Sequence, residues 1–363
     1  MNRRETLALA LGGFALQRRA IATDTNTMQT VPTVIQNQID TGLLESAVVH
    51  IRRGKEIFHE AFGKAAGTDA LFLLASITKT MTAAGVMVLA DRGELRLTDR
   101  VVKFLPEFTE GARKDITVEH LLTHTSGLPD QLENNTELRS SHSPLSAFVE
   151  GAIRTPLLFA PGTNYHYQSM GILLAAEIVE RLAGTALPEF LAKEVFQPLG
   201  MTRSALGLGG FKLEDTIRCQ TEHAAPESGG GDPHAASWDW NSPYWRHLAA
   251  PWGGAHGTAA DVARFLDAFM NPDGRVLREE TARSMIQNHT PDLDVRRGIG
   301  FALGPEGFGK QCSPQSYGHS GSTGTLAWAD PATDTTCVIL TSLPSRLSGE
   351  TILKPISDVV SAF

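Results

Sequence analysis

Strand-like segments occur near both ends of this chain, while helical patterns dominate its middle. Residues 45–65 alternate apolar and polar positions around the turn RRGK, which predicts a hairpin. Residues 298–343 contain three further strand-like stretches, whereas residues 117–210 have mainly helical periodicity. This distribution predicts an α/β (α+β) fold whose antiparallel sheet is built from both chain ends and flanked by helices. An all-helical subdomain is expected to be inserted at about residues 105–250.

Length and composition predict one large globular domain, or two interleaved subdomains, over residues 27–363. The chain has 363 residues, of which 42% are hydrophobic and 20% charged, close to ordinary globular usage. Its net charge is −8 and it has no long basic run, so a nucleic-acid partner is not expected. No stretch beyond the N-terminus reaches 18 consecutive apolar residues, so stable membrane insertion is not expected either.

The three cysteines, Cys219, Cys312 and Cys337, are widely spaced and include no C-x-x-C pair. Metal ribbons and thioredoxin-type chemistry are therefore unsupported. A Cys312–Cys337 disulfide is possible, but an odd number of cysteines favours free buried thiols.

The N-terminus has the layout of an export signal. Arg3 and Arg4 precede an apolar stretch from Thr6 to Leu16, and residues 20–22 (AIA) offer a small-residue cleavage site. The arginine pair indicates a twin-arginine signal peptide over residues 1–22, and hence a periplasmic or secreted protein. A pair of arginines between the apolar run and the cleavage site is unusual for general secretion, so a cytoplasmic location is the alternative.

The sequence SITK places Ser76 and Lys79 three residues apart at the start of an apolar helix that runs to about Asp91. Residues i and i+3 are neighbours on a helix surface, so the two side chains can touch. Burial would lower the pKa of the lysine and let it accept the serine proton. Alone, a four-residue pattern of this kind is weak evidence, because it occurs by chance in many chains.

Two later segments supply candidate partners for Ser76. Tyr167 and Ser169 lie in YQS just before a helical pattern, and His319, Ser320 and Gly321 lie on a strand edge before a glycine-rich turn. The order and placement of the three motifs resemble the serine β-lactamase and penicillin-binding-protein superfamily, which carries S-x-x-K, a second motif and a third motif.

Within that superfamily the chain looks most like the branch of class C β-lactamases, D,D-carboxypeptidases and family VIII esterases. In that branch the second motif starts with tyrosine and the third is often H-x-G. The resemblance spans about Leu71 to Ser342 and includes three framing stretches: residues 121–129, 160–184 and 253–265.

The resemblance implies a role for each motif residue. Ser76 matches the nucleophile, Lys79 the amine that activates it, and Tyr167 the tyrosine that relays a proton. His319 matches the first residue of the third motif, which lines the pocket. The backbone N–H groups of Ser76 and Ser322 would form the oxyanion hole.

Substrate contacts would then involve Ser169, Ser320 and Gly321. No metal or organic cofactor is implied, and the expected partner is a small ester or amide substrate.

Two departures from the family pattern bear on the substrate. Ser169 stands where many relatives have asparagine, and a hydroxyl cannot supply an amide fork. His319 stands where β-lactamases mostly have lysine, and a histidine near its reference pKa of about 6.5 is mostly neutral. These changes favour a serine hydrolase acting on carboxylic esters. Amide hydrolysis of the β-lactamase, D,D-carboxypeptidase or D-aminopeptidase type is the alternative.

Other interpretations of the sequence are weaker. GHSGS, from Gly318 to Ser322, fails the last position of a nucleophile elbow and lies too near the C-terminus. His120 and His124 are four residues apart, but no H-E-x-x-H motif surrounds them, so a zinc site is not expected. A protein of another class, which keeps the pocket for binding but turns over weakly, is the remaining alternative.

A long segment between residues 220 and 250 is predicted to be a loop and contains several tryptophans. Trp238, Trp240 and Trp245, together with Trp252, can wall a pocket for a hydrophobic acyl or aryl group. Anchoring of the loop on the helical region explains the same residues equally well.

Overall fold

The computed structural model describes residues 25–362, with side chains from residue 29 onward. The predicted signal peptide, residues 1–22, lies outside the described residues. Within them, none of the helices combines the length and the apolar character needed to cross a bilayer.

The main sheet joins the two ends of the chain. Six antiparallel strands run in the order β2-β1-β9-β8-β7-β6, so that a hairpin near the N-terminal end of the described chain pairs with strands near its C-terminal end. The strands are β1 (Ser46–Arg53), β2 (Glu56–Gly63), β6 (Ala302–Leu303), β7 (Tyr317–Gly321), β8 (Thr325–Asp330) and β9 (Thr335–Thr341). The predicted α/β (α+β) class with an antiparallel sheet is confirmed. The predicted strand over residues 298–304 is reduced to the two residues of β6.

A small second sheet lies beside the main one, in the order β3-β5-β4. Its strands are β3 (Phe72–Leu73), β4 (Ala205–Leu206) and β5 (Ala255–Gly257).

Helices form most of the remaining structure. They are α1 (Thr25–Asp40), α2 (Thr78–Asp91), α3 (Val118–Leu122), α4 (Asn135–Ser140), α5 (Leu145–Arg154), α6 (Met170–Ala183), α7 (Leu187–Leu191), α8 (Pro243–Leu248), α9 (Ala259–Met270), α10 (Glu279–Met285), α11 (Ser345–Ser348) and α12 (Lys354–Ser361). Helices α3 to α8 lie within the segment that was predicted as an inserted helical subdomain.

Both faces of the main sheet are covered at its central strands, because β1, β8 and β9 are largely buried on both sides, whereas the edge strand β2 is mostly exposed or half-buried. In β1 and β9, Val48 and Leu340 face one hydrophobic cluster, whereas Val49 and Ile339 face the other. The first cluster includes α2, α6 and α9, and the second includes α1 and α12. Strands with alternating residues buried on opposite faces are expected in a sheet between two helical layers.

Helix α2 occupies the centre of the molecule. Its residues from Thr78 to Leu89 are all buried, as expected for a helix that is apolar on every side. It packs against α6 of the helical region and is joined to β3 by a 3₁₀ turn over Ala75–Ile77. The lysine of SITK therefore lies where the sheet and the helical region meet.

One prediction about local structure needs correction, and another is confirmed. The segment predicted as a long loop, residues 220–250, contains α8 and three short 3₁₀ turns. Ser242 caps α8, because its hydroxyl accepts a hydrogen bond from the Trp245 N–H. All three cysteines are buried and free, as the odd count favoured, and Cys312 is not bonded to Cys337.

Candidate active site

Ser76 lies in a strained turn between β3 and α2. A 3₁₀ turn over Ala75–Ile77 precedes the helix, and Ala75 has a φ of 47°, in the left-handed region that alanine rarely adopts. The Leu74 N–H donates to the Ala255 carbonyl over 2.8 Å, which anchors the turn to β5. We call residues 74–77 the Ser76 turn. Such strain persists only where the surrounding structure holds it, and it is concentrated at functional sites.

The end of β7 and the start of β8 hold the Ser76 turn from the other side. Thr323 Oγ1 donates to the Leu73 carbonyl over 2.7 Å, and Thr325 Oγ1 donates to the Leu74 carbonyl over 2.9 Å. Gly321 permits this approach, because a Cβ there would lie 2.5 Å from the Leu74 carbonyl oxygen. The residues at and just after the third motif thus hold the Ser76 turn in place, whereas none of the motif's three residues, 319–321, lines the cleft beside Ser76.

Lys79 is buried beside Ser76. Its Nζ lies 3.1 Å from Ser76 Oγ and donates to the Trp252 carbonyl over 2.9 Å. Burial lowers the lysine pKa from 10.5 to about 7, with a smaller contribution in the same direction from Arg297. A neutral amine that donates one N–H to Trp252 keeps a lone pair for the Ser76 proton, so the predicted activation is geometrically available.

Tyr167 completes a three-residue cluster with Ser76 and Lys79. Its ring centroid is 4.8 Å from Lys79 Nζ, and its hydroxyl hydrogen-bonds to Ser76. Burial raises the pKa of the phenol well above its usual 10, and the bond to Ser76 offsets only part of this. His124 supports the segment, because its Nδ1 accepts from the Gln168 N–H over 3.2 Å. The predicted choice of Tyr167 over Tyr165 agrees with this placement.

His319 lies behind Tyr167 as an uncharged side chain. The two ring centroids are 5.9 Å apart, and His319 Nδ1 lies 2.6 Å from the Ser320 carbonyl oxygen. Nδ1 must therefore carry the proton, which leaves the buried Nε2 as an acceptor with no partner. Burial lowers the His319 pKa to about 3, helped by the charges of Arg297 and Lys79. The position that holds a lysine in most β-lactamases is thus neutral here.

The other predicted contact residues divide into two groups. Ser169 and Ser322 line the same cleft as Ser76, although the Ser169 hydroxyl donates to Asp130 over 2.6 Å. Gly321 packs against the Ser76 turn. Ser320 is exposed and faces a separate depression near the C-terminal helices, so the structure places its side chain away from Ser76. The alternation of side chains along β7 explains why His319 and Ser320 point to opposite faces.

A family model described as Beta-lactamase matches residues 31–355. The chain belongs to the β-lactamase family. Penicillin-binding protein 4 of Amycolatopsis lactamdurans is 33% identical over 74% of this chain and 70% of its own. Esterase EstB of Burkholderia gladioli is 31% identical over 76% of this chain and 76% of its own. With this membership and the Ser76 geometry, the protein is a serine hydrolase.

Solved structures of the β-lactamase family share the fold. EstCE1, described as a hydrolase with promiscuous acyltransferase activity, superposes with a TM-score of 0.74 at 23% identity and covers 93% of this chain and 99% of its own. The D-amino acid amidase of Ochrobactrum anthropi SV3 gives 0.73 at 22% identity, over 93% of this chain and 98% of its own. These two likenesses show the fold, and a shared fold does not by itself identify a substrate.

The cleft beside Ser76 has a volume of about 200 Å³ and mixed walls. Trp240, Trp245 and Trp252 form its apolar side, which agrees with the predicted pocket wall. Trp238 instead stacks on the Arg139 guanidinium at 5.1 Å, which is the anchoring role that was the alternative. The tryptophans of this segment therefore have both functions.

Charged groups line the remaining wall of the cleft. Asp130, Arg139, Glu227 and Arg346 contribute to it. Arg139 is held by the Glu227 and Trp238 carbonyls, whereas Arg346 is exposed and forms no ion pair among the described residues. Sequence reasoning missed Asp130, although it directly follows the framing stretch that ends at Pro129.

His120 and His124, whose spacing raised the question of a zinc site, have structural roles. His120 Nδ1 accepts from the Thr117 N–H and so completes a capping box at α3. His124 has a φ of 63° and supports the Tyr167 segment as described. The i, i+4 spacing therefore does not bring these residues to a common ligand.

Proposed function

We propose that this protein hydrolyses carboxylic esters through an acyl-enzyme on Ser76. The observation that carries the proposal is that His319, which lies beside Tyr167, is neutral. Most β-lactamases have a lysine at this position. An uncharged His319 offers no positive charge to a substrate carboxylate, and the tryptophan wall of the cleft suits an apolar acyl or aryl group. The relatedness to esterase EstB supports the same class of substrate.

In the acylation step, Ser76 Oγ attacks the ester carbonyl carbon as its proton passes to the Lys79–Tyr167 pair. The backbone N–H groups of Ser76 and Ser322 would stabilise the oxyanion, since both residues line the cleft. Collapse of the tetrahedral intermediate breaks the bond to the alkoxy oxygen. Tyr167, which hydrogen-bonds to Ser76, returns the proton to the departing alcohol.

In the deacylation step, water attacks the Ser76 ester and gives its proton to the same pair. The acid departs, and Ser76 Oγ recovers the proton. The cycle is thus balanced in protons and requires only groups on this chain and water.

The decisive experiment compares three substrates with the wild type and Ser76→Ala. A short-chain aryl ester should be turned over, with loss of at least about 1,000-fold in the mutant. A chromogenic cephalosporin and a D-Ala-D-Ala peptide should react slowly. Ester turnover that survives in Ser76→Ala would refute the nucleophile assignment.

Amide hydrolysis is the second candidate, and Arg346 is the observation that favours it. An exposed guanidinium in the cleft that has no ionic partner within residues 25–362 can bind the carboxylate of a peptide or a β-lactam. The relatedness to penicillin-binding protein 4 supports this option. Faster turnover of the cephalosporin or the peptide than of the ester would establish it, and loss of that turnover in Arg346→Ala would identify the carboxylate contact.

We also propose that the protein belongs to the class C-like branch of the family. The tyrosine that starts the second motif and the H-x-G pattern of the third motif support this assignment. A binding protein that keeps the pocket but turns substrate over only weakly would give a different result. It would acylate slowly with all three substrates and show neither a burst nor steady turnover.

We further propose that the protein is exported to the periplasm or secreted, on the twin-arginine layout of residues 1–22. N-terminal sequencing of protein from the extracytoplasmic fraction should find a start just after the AIA site. Intact protein confined to the cytoplasm would support the alternative location.

A further inference from the structure

Four arginines are buried within the described residues, and one of them differs from the others. Arg113, Arg139 and Arg246 each donate to two or more backbone carbonyls. Arg297 is only 5% exposed, yet its Nε and Nη2 atoms have no hydrogen-bond partner among the residues that the structure describes. No ion pair joins it to any carboxylate between residues 25 and 362. A buried, unpaired cation costs free energy, so its position calls for an explanation.

The loop that carries Arg297 is fixed against the helix that carries Lys79. Gly300 has a φ of 79°, and a Cβ there would lie 2.5 Å from Ala83 Cβ and 3.5 Å from the Lys79 carbonyl oxygen. The Gly300 N–H also donates to the Leu122 carbonyl over 3.1 Å, which ties the loop to the end of α3. The backbone around Arg297 is therefore held at a set distance from the catalytic lysine.

The guanidinium lies near Tyr165, two residues before the tyrosine of the second motif. Its Cζ is 5.9 Å from the centroid of the Tyr165 ring, and its charge acts on Tyr167, Lys79 and His319. It does not line the substrate cleft, so it acts on the reaction through these neighbours rather than by touching substrate.

We propose that Arg297 is a positioning residue of the Ser76 site, whose buried and unpartnered guanidinium supplies the fixed positive charge that His319 does not. The inference rests on the proposed function in one respect, namely that Ser76 is the nucleophile. The positive charge of Arg297 favours the form of the Lys79–Tyr167 pair that has lost one proton, whichever of the two residues has lost it. The pair is then ready to take the Ser76 proton at a lower pH.

Other groups that face the pair either oppose Arg297 or are uncharged. Asp130 lies at the cleft and favours the protonated pair, so it acts in the opposite direction. His124 and His319 are neutral at the pH of interest, because burial lowers the pKa of both. Tyr165 is also neutral, since burial raises its pKa. Among these neighbours, Arg297 is therefore the group that supplies a permanent positive charge to the Lys79–Tyr167 pair.

The test measures how fast Ser76 reacts with a fluorophosphonate across pH 5–10. Ser76 Oγ forms a bond to phosphorus, fluoride leaves, and the serine proton goes to the Lys79–Tyr167 pair. This readout needs no particular substrate. If the aryl ester proves inert, labelling of Ser76 still tests Arg297, and if labelling fails in the wild type the nucleophile assignment itself is wrong.

The labelling rate should fall on the acidic side of the pH profile, and we call this fall the acidic limb. Removal of the charge in Arg297→Met should move the acidic limb to a pH about one unit higher. Labelling below the limb then falls about tenfold, while the rate at pH 9.5 to 10 approaches that of the wild type. Arg297→Lys, which keeps the charge, should leave the limb within about 0.3 unit of its original position. Arg113→Met is the matched control, since that arginine is also buried but is bonded to carbonyls away from the site.

A stability measurement separates this role from ordinary packing. If Arg297 serves the reaction, Arg297→Met should unfold at the same or a higher temperature than the wild type, because an unpaired buried charge is removed. The matched Arg113→Met should unfold at a lower temperature, with an unmoved pH limb. An unmoved limb in Arg297→Met, or a uniform loss of labelling at every pH, would overturn the proposal.

Discussion

Gly321 at the end of β7 is the position where the smallest change should disturb the nucleophile. A Cβ added there would lie 2.2 Å from Thr325 Oγ1, 2.5 Å from the Leu74 carbonyl oxygen and 3.1 Å from Ala75 Cβ. Contacts below about 3 Å are forbidden, so Gly321→Ala must push the Ser76 turn away from β7 by at least about 0.5 Å. The carbonyl belongs to the backbone of a turn that is already strained, so it cannot move alone.

The magnitude follows from this displacement. Overpacking of this kind lowers the free energy of unfolding by about 1–3 kcal/mol. A misplacement of about 1 Å at a reacting group costs about 100-fold in rate, so about half that displacement should lower kcat/KM by about 10-fold or more. The loss should appear mainly in kcat, because the aromatic walls that bind the substrate are untouched.

The assay compares aryl ester hydrolysis and urea unfolding for the wild type, Gly321→Ala and Gly307→Ala. Gly307 is the matched control, since its φ lies outside the left-handed region and a Cβ there meets nothing within 4 Å. It should retain full activity and a free energy of unfolding within about 0.5 kcal/mol of the wild type. A Gly321→Ala enzyme with kcat within twofold of the wild type would refute the reasoning that β7 holds the Ser76 turn.

Three further predictions concern the proton-transfer pair and the cleft. Because burial lowers the Lys79 pKa to about 7 and the neutral amine is the active form, kcat/KM should rise with pH to a plateau above an acidic limb near pH 7; a flat profile from pH 5 to 9 would contradict this. The change Asp130→Asn removes a negative charge that favours protonation of the pair, so the limb should move to lower pH, and an upward shift would be inconsistent with the geometry. The change Trp240→Ala should raise KM for aryl and long-chain esters more than for acetate esters, as measured by initial rates, whereas equal changes for all chain lengths would assign Trp240 to structure alone.

Local pattern was sufficient for some parts of this protein. The i, i+3 spacing of Ser76 and Lys79 brings the two side chains to 3.1 Å, because a helical turn fixes that geometry from three residues of chain. The hairpin of β1 and β2 follows likewise from alternation around a turn. The third motif was found by its order in the chain and its resemblance to a family, and not by any physical signal within it.

Other features depend on contacts between residues that are distant in the sequence. Trp238 and Trp240 are two residues apart with similar surroundings in the sequence, yet one stacks on Arg139 and the other lines the cleft. Ser320 was expected beside its neighbours in the motif, but the strand turns its side chain to the opposite face.

The sequence by itself predicted the class of fold, from the distribution of strands and helices, and the contact between Ser76 and Lys79, from their i, i+3 spacing. The assignment of Ser76 as the nucleophile came from the resemblance to a family and stays a prediction. Only the tertiary structure decided which charges act on the amine. Arg297 lies in a loop remote in sequence from Lys79, and Gly300 brings that loop against α2. Electrostatic effects depend on distance and burial in space, and neither can be seen from residue order.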